Sequence, residues 1–350
     1  MNLAVDCLRR PTSFDQLKNI WQTLERLDPL CSPFLSWTYL SAWWQAVGCN
    51  EGELRILIVR RGKEVVALAP LCIQRRKHLG FIPQNTLMIM GTLNGVQSIH
   101  QGVIAQPSLR VSACEAIIGH LPTIKPWHTL LLNSLDENSA FAVLARQRIL
   151  GNRSGANETV SSLRYEVLPE SWNEFVGHRK GARLNELSRI TQSLEELGKC
   201  EFELCSTRKV FRENQRILSE LLLSTDGTEE SFYSDFIVQG FMADTIWQLV
   251  FSLNGRVVGI QHYSIERGEL VLLQGCYAPT VKTLGAAKFM FAYALQCGIR
   301  RVMNGAHSVV SDDDCANEFL IGNRSVVSIH YTASLWRRML GPVLNRFVNR

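Results

Sequence analysis

Six consecutive residues, Lys282-Thr283-Leu284-Gly285-Ala286-Ala287, carry the clearest chemistry in the sequence. They join the strand-like run ELVLLQGCYAP to the helix-forming run KFMFAYALQC, so the chain passes there from strand to helix. The first amides of a helix have no intrahelical acceptor, and the aligned peptide dipoles favour negative charge beside them. Such a terminus is an anion site. Gly285 lets a phosphate approach the backbone, Ala286 and Ala287 keep the rim open, and Lys282 adds a formal positive charge. A plain helix start with small packing residues has the same pattern, and the loop alone leaves both readings open.

Three strands must position that loop. IWQLVFSLN, RVVGIQHYSIE and ELVLLQGCYAP read as a meander with tight turns at Asn254-Gly255 and Arg267-Gly268. The helix after the loop runs from Gly285 to near Cys297, with Gly298 as its stop. A short strand (RRVMN), a long loop, a strand (SVVSIHY) and a final helix follow. Upstream lie a short strand (LRYEVL) and a long helix from near Ser171, made basic by Arg179, Lys180, Arg183 and Arg189. EFELCS reads as a strand and FRENQRILSELLL as a helix, while DGTEESFYSD lacks periodicity and reads as a loop. The order is α/β (α+β) without βαβα alternation, which implies a mixed, mostly antiparallel sheet flanked by helices.

The first half has its own set of elements. Phe14, Leu17, Ile20, Trp21, Leu24 and Leu27 recur at helical spacing, and Phe34, Trp37, Tyr39, Leu40, Trp43 and Trp44 form a second, aromatic-rich helix. LRILIVRR and EVVALAPLCIQRR read as two strands about Gly62-Lys63, with NTLMIMGT, SIHQGVIA and WHTLLLNSL as further strands. Helices are predicted at Val111–Leu121 and SAFAVLARQRIL. The Trp37, Trp43 and Trp44 cluster reads as core, and no residue of this half is nominated for catalysis. The polar stretch Gly151–Ser162 reads as a linker, dividing the chain into domains 1–155 and 156–350.

Length and composition agree with two globular domains. The chain has 350 residues, 46% hydrophobic and 20% charged, which excludes a disordered, collagen-like or disulfide-stapled protein. A net charge of +5 favours acidic ligands such as phosphates. No Lys/Arg block or aromatic RNA-binding motif marks a nucleic-acid face, so neither DNA nor tRNA is an expected partner. The ten cysteines form no CxxC pair, which points to free thiols in a reducing compartment and to no bound metal. No signal-peptide core and no run of ~18 apolar residues occurs, so a cytoplasmic location is expected. A basic amphipathic segment from about Ala333, with Leu335, Trp336, Met339 and Leu340 opposed to Arg337 and Arg338, could either rest on an anionic membrane or dock on its own domain.

The loop resembles the pyrophosphate-binding motif of GNAT acetyltransferases, Gln/Arg-x-x-Gly-x-Gly/Ala, with Lys282 in place of the first residue. SPFLSWTYLSAWWQAVG followed by VVALAPL is similar to the opening of CelD/FemAB-like acetyltransferases, as are the basic helix and the meander. The resemblance covers most of the chain. It implies two GNAT-like halves, with an acyl-CoA held in the second half by Lys282, Thr283, Leu284, Gly285, Ala286 and Ala287. One element departs from the pattern. Asn304-Gly305-Ala306-His307 stands where the family has a glycine and then a Tyr-Lys pair, which implies a different acceptor or lost activity.

N-acyl transfer needs a base to keep the amine neutral, a donor for the carbonyl oxyanion, and an acid for the departing thiolate. A backbone amide of the meander could be the donor, with Gly259 permitting a bulge. His262 is the candidate base, Tyr277 the candidate acid, and Asp312 in Asp312-Asp313-Asp314 a candidate contact for a cationic acceptor; purely structural roles stay open for each. The activity implied is acyl-CoA-dependent acylation of an amine, on an amino-sugar or cell-envelope precursor. The alternatives are FemAB-like aminoacyl transfer from tRNA to a peptidoglycan precursor, and an inactive GNAT-fold interaction protein.

Overall fold

The computed structural model describes residues 3–78, 82–91, 102–151, 155–177, 181–221, 227–266, 268–308 and 319–332. They divide into two compact units, one drawn from Met1–Asn94, Ser98–Ser161 and Ser325–Arg350, the other from Ser162–Arg324. The chain passes from one unit to the other after Ser161, within the stretch Gly151–Ser162, and from Ser325 it returns to the first unit.

In the first unit, helices α1 (Pro11–Phe14), α2 (Lys18–Leu27), α3 (Trp37–Trp43), α4 (Cys49–Glu51), α5 (Arg110–His120) and α6 (Ala140–Ala145) accompany two sheets. One sheet has the order β1 (Ala4–Leu8), β3 (Ile56–Arg61), β4 (Glu64–Ala69), β7 (Ile104–Ala105), all antiparallel. In the other, β15 (Gly322–Thr332) pairs with β8 (Thr129–Asp136), which pairs in parallel with β6 (Ile82–Ile89), then β5 (Leu71–His78) and β2 (Gly52–Leu54).

EVVALAPLCIQRR is therefore two strands. Pro70 has no amide to donate to a ladder, and at that residue the chain leaves one sheet for the other. The aromatic run behaves as core: Trp37, Trp43 and Trp44 are buried, Ser36 caps α3 by accepting from the Tyr39 amide, and Tyr39 Oη donates to the Gly91 carbonyl at 2.8 Å. Ile20 and Leu27, placed by periodicity on the buried face, are exposed; Leu17, Trp21 and Leu24, at four- and three-residue spacing, make the buried stripe and leave those two beside it.

In the second unit the sheet order is β10 (Cys200–Leu204), β11 (Ile246–Leu253), β12 (Arg256–Glu266), β13 (Glu269–Tyr277), β14 (Gly305–Ser308), β9 (Ala156–Val167). Only the β13–β14 pairing among these is parallel. Its helices are α7 (Trp172–Gly177), α8 (Gly181–Leu197), α9 (Arg208–Leu221), α10 (Gly227–Met242), α11 (Pro279–Lys282) and α12 (Ala286–Arg300).

The meander stands as predicted, and Asn254 (φ 51°) with Gly255 (φ 76°) makes the left-handed two-residue turn that matches strand twist. Four details differ. The supposed linker is strand from Ala156 onward, held in part by Glu158 against Arg146 at 2.6 Å. The acidic stretch DGTEESFYSD is helical from Gly227. Gly298 lies inside α12, which ends where Val302 turns left-handed (φ 58°). The short strand is GAHS rather than RRVMN, because 301–304 form that turn.

Candidate active site

Strand alternation sorts the meander's side chains onto two faces. Gly259, Gln261 and Tyr263 of β12 face α12, where Tyr263 stacks on Phe291. Ile260 and His262 face α9, where Ile260 and Cys276 meet Leu218.

On the α12 face one glutamine ties three groups together. Gln261 Nε2 donates to Tyr277 Oη at 2.6 Å and to the Ala287 carbonyl at 3.2 Å, and Tyr263 Oη donates to Gln261 Oε1. Tyr277, the predicted acid, is thereby fixed against the first turn of α12. Its ring lies over two glycines. A Cβ on Gly275 would fall 2.3 Å from Tyr277 Oη, and one on Gly259 would fall 3.3 Å from Tyr277 Cδ1. Sequence reading missed Gln261 and Gly275; their signal was the alternation Gly259-x-Gln261-x-Tyr263 and Gly275-x-Tyr277 on strands already identified.

The backbone is irregular at this end of the sheet. The β11–β12 register skips Val258 beside Gly259, so the bulge predicted there is present. A second shift on β13 leaves Leu273 between Gln274, opposite His262, and Leu272, opposite Tyr263. The described pairing of β13 with β14 ends at the same place, at Leu272 with Ser308.

The predicted anion loop is a helical turn followed by a second helix. The Ala278 carbonyl accepts from the Val281 and Lys282 amides at 3.1 and 3.0 Å, closing α11. Gly285 then caps α12 in the left-handed region (φ 87°), and its carbonyl accepts from Lys288 at 3.0 Å. Among the described residues the Ala286 and Ala287 amides have no acceptor, while Lys282 and Thr283 are exposed and Leu284 is half-buried. Ala286 is fully buried, so it does not keep the rim open as expected; the half-buried Ala287 amide at the helix N-terminus, with the exposed Lys282 beside it, is the part that fits a pyrophosphate. The sequence reading gave Gly285 the task of admitting the phosphate. In the structure the left-handed backbone requires the glycine, and an added Cβ would sit 2.9 Å from the Ile190 Cδ1 tip of α8, which would have to shift. Lys288 Nζ donates to Glu186 Oε1 at 2.9 Å, a second tie between α8 and α12.

His262 does not share the Tyr277 face. It is fully buried, and burial pushes its pKa down to about 3. Its Nε2 lies 3.0 Å from Gln248 Nε2 and 3.1 Å from Gln215 Nε2. Asn214 Nδ2 donates to Gln248 Oε1 at 2.7 Å, which turns the Gln248 amide nitrogen toward the ring. An imidazole so depressed, with its lone pair already engaged, is no base for an amine at neutral pH. Buried polar groups without partners each cost about 1–3 kcal/mol, and His262 Nδ1 is one of them.

Asp312, with Asp313, Asp314 and Glu318, lies outside the described residues, as do Arg179, Lys180 and the C-terminal basic segment. His307 is buried at the start of the sheet, opposite Val271, about 20 Å along β13 from Tyr277. Burial, then Arg324, pushes its pKa to about 3, and Arg324 itself donates to Glu269 at 3.0 Å and stacks over Tyr165 at 4.2 Å. No group of three or more metal-ligating side chains occurs among the described residues. Nor is any described helix long and apolar enough to cross a membrane. The nine described cysteines are free thiols, and burial pushes Cys72 and Cys114 up to about 12.

One feature of α9 escaped the sequence reading. Arg208, Arg212 and Arg216 recur at four-residue spacing and, with Lys209 and Glu213, line an open groove of about 550 Å³. None of the four cations makes an ion pair or hydrogen bond among the described residues.

No family model matches the sequence, and no curated protein matches it. Solved structures do match its fold. FemX superposes with a TM-score of 0.62 at 10% identity, over 92% of this chain and 98% of FemX. The L-PGS structure from Bacillus licheniformis gives 0.53 at 11% identity, over 97% of each chain. The C-terminal domain of a putative lysylphosphatidylglycerol synthetase from Agrobacterium fabrum gives 0.52 at 10%, over 94% of this chain and 95% of that one. With its mostly antiparallel sheets, flanking helices and strand-loop-helix at Tyr277–Ala287, the chain has the fold of FemX, as the resemblance in its sequence implied.

Proposed function

We propose that the protein is an acyl-CoA-dependent N-acyltransferase acting on an amine of an amino-sugar or cell-envelope precursor. The observation that carries this is the joining of Tyr277 to the α12 terminus: β13 ends in a fixed phenol, and the chain then turns through left-handed Gly285 into two acceptor-free amides. Bound acyl-CoA would supply the activated thioester. Lys282 and the Ala287 amide would hold its pyrophosphate, and the irregular backbone at Leu273 would offer an amide to the carbonyl oxygen as it gains charge. Tyr277 Oη, oriented by Gln261, would supply the proton to the leaving sulfur. The acceptor amine must arrive neutral, since His262 does not act as its base, and the proton it sheds on becoming an amide would return to the Tyr277 phenolate.

The test is a thermal-shift series with acetyl-CoA, longer acyl-CoAs and free CoA. A ligand at 100 times its Kd stabilises the fold by about 2.7 kcal/mol. No response to any CoA species would sink the reading.

A second reading, aminoacyl transfer from tRNA, is favoured by the uncompensated cations of α9. It predicts binding that weakens by about one log unit per log unit of salt for each phosphate contact. Submicromolar, salt-sensitive tRNA binding with no CoA response would select it. If neither ligand binds, the chain is an interaction protein on this fold.

A further inference from the structure

Two buried polar atoms on the α9 face of the meander have no hydrogen-bond partner among the described residues: His262 Nδ1 and Gln274 Oε1. They belong to directly opposed residues of neighbouring strands, beside the register shift at Leu273. Cross-strand partners in an antiparallel pair project to the same side, so the two atoms share one niche under α9.

The protonation of the niche follows from its neighbours. Gln248 and Gln215 both present amide nitrogens to His262 Nε2, and an amide nitrogen only donates. With the amides so placed, Nε2 accepts and the ring proton is assigned to Nδ1. The depressed basicity of the buried ring keeps it neutral. The niche thus offers one N–H donor and one carbonyl acceptor side by side, with no charge.

We propose that His262 and Gln274 form a subsite for an uncharged hydrogen-bonding group of the acyl acceptor, a hydroxyl or carboxamide that accepts from His262 Nδ1–H and donates to Gln274 Oε1. The assignment to the acceptor rests on the N-acyltransferase reading, because the niche lies on the sheet face away from α12 and its pyrophosphate amide. An ammonium has no lone pair for the imidazole proton. A carboxylate has no proton for the glutamine oxygen. Gln274 stands three residues before Tyr277 on the same strand, so a group held there is tied to the backbone that carries the proposed acid. Gln274 itself is partly exposed, so the niche lies near the surface.

The experiment uses the full chain with ¹⁵N-labelled histidine. Long-range ¹H–¹⁵N spectra read the tautomer of His262 during titration with N-methylacetamide and with 2-propanol, against methylammonium chloride and sodium acetate. The expected result is a Nδ1-protonated ring whose Nδ1 signal moves saturably with a neutral probe and not with either ion. Gln274→Leu should raise that probe's Kd about tenfold, the loss of one hydrogen bond. If that variant melts early, Gln274→Met serves in its place. An Nε2-protonated ring overturns the proposal, as does a signal that no neutral probe moves, which would mean an enclosed water fills the niche. CoA thermal shifts on the same sample keep the two readings apart: a probe response without CoA binding retains the subsite and removes the acyltransferase.

Discussion

The two faces of the β12–β13 pair solve the same problem differently. On the α12 face, Gln261 uses both ends of its amide, meeting Tyr277, Tyr263 and the Ala287 carbonyl. On the α9 face, His262 and Gln274 each keep a polar atom unmatched although both atoms are buried. A satisfied network fixes geometry, whereas a half-satisfied one costs stability unless something completes it. The first face holds its parts still, and the second, on the subsite proposed above, would receive. Catalysis by positioning needs both, on opposite sides of one strand pair.

The sharpest way to break the first face is Gly285→Asp. Sequence alone predicts a variant that keeps its fold and loses CoA. The left-handed φ of 87° and the contact with Ile190 instead predict a loss of about 3 kcal/mol in unfolding free energy, combining strain and overpacking, as well as lost CoA binding. Urea titration measures it; an unchanged midpoint would show that α8 yields easily.

Acid should act next. Burial holds the folded-state pKa of both His262 and His307 at about 3, below the ordinary value of 6.5. Between those values the unfolded chain binds protons that the folded chain does not, so stability is complete above pH 6.5 and falls as pH drops toward 3. Each histidine contributes at most about 1.4 kcal/mol per pH unit. Denaturation at pH 6.5 and pH 5 should reveal the slope, and His262→Asn should roughly halve it. A flat profile would mean that the histidines reach water in the native state.

Gln261→Leu separates the faces directly. It should cost about 1–3 kcal/mol by removing the hydrogen bonds to Tyr277, Tyr263 and the Ala287 carbonyl, and should lower kcat more than it raises the acceptor KM. Equal effects on both constants would move Tyr277 from the reaction to mere packing. The smallest effect belongs to Lys282→Glu. The side chain is exposed, so melting should not change, while CoA affinity should fall about tenfold, or about 1.4 kcal/mol. Unaltered CoA affinity would leave the pyrophosphate with the backbone amide alone.

The parts of this molecule legible in sequence were those governed by local rules. The meander announced itself through alternation and the Asn254-Gly255 turn, the α12 loop through a glycine between strand and helix, and the Trp37–Trp44 cluster through density of aromatics. What stayed hidden depended on partners distant in sequence. His262 looked like a free base because nothing local tells that Asn214 and Gln215 of another helix close over it. The polar stretch after Gly155 looked like a linker because its pairing partners lie far along the chain. Gly285 was recognised, but its neighbour Ile190, whose side-chain tip a Cβ there would meet, lies 95 positions upstream.

The return of the chain to the first unit has a consequence for synthesis. Strand β8, apolar TLLLNSLD, has β6 on one side and receives β15 on the other only when Val326 comes to lie opposite Asp136, about 190 residues later. A ribosome delivers the whole second unit before that edge can be covered. Until then the nascent first unit carries an open, hydrophobic strand, the feature through which unfinished sheets pair with the wrong chain. A stop codon after Arg324 would leave every residue of the proposed CoA loop intact and still yield a protein that aggregates.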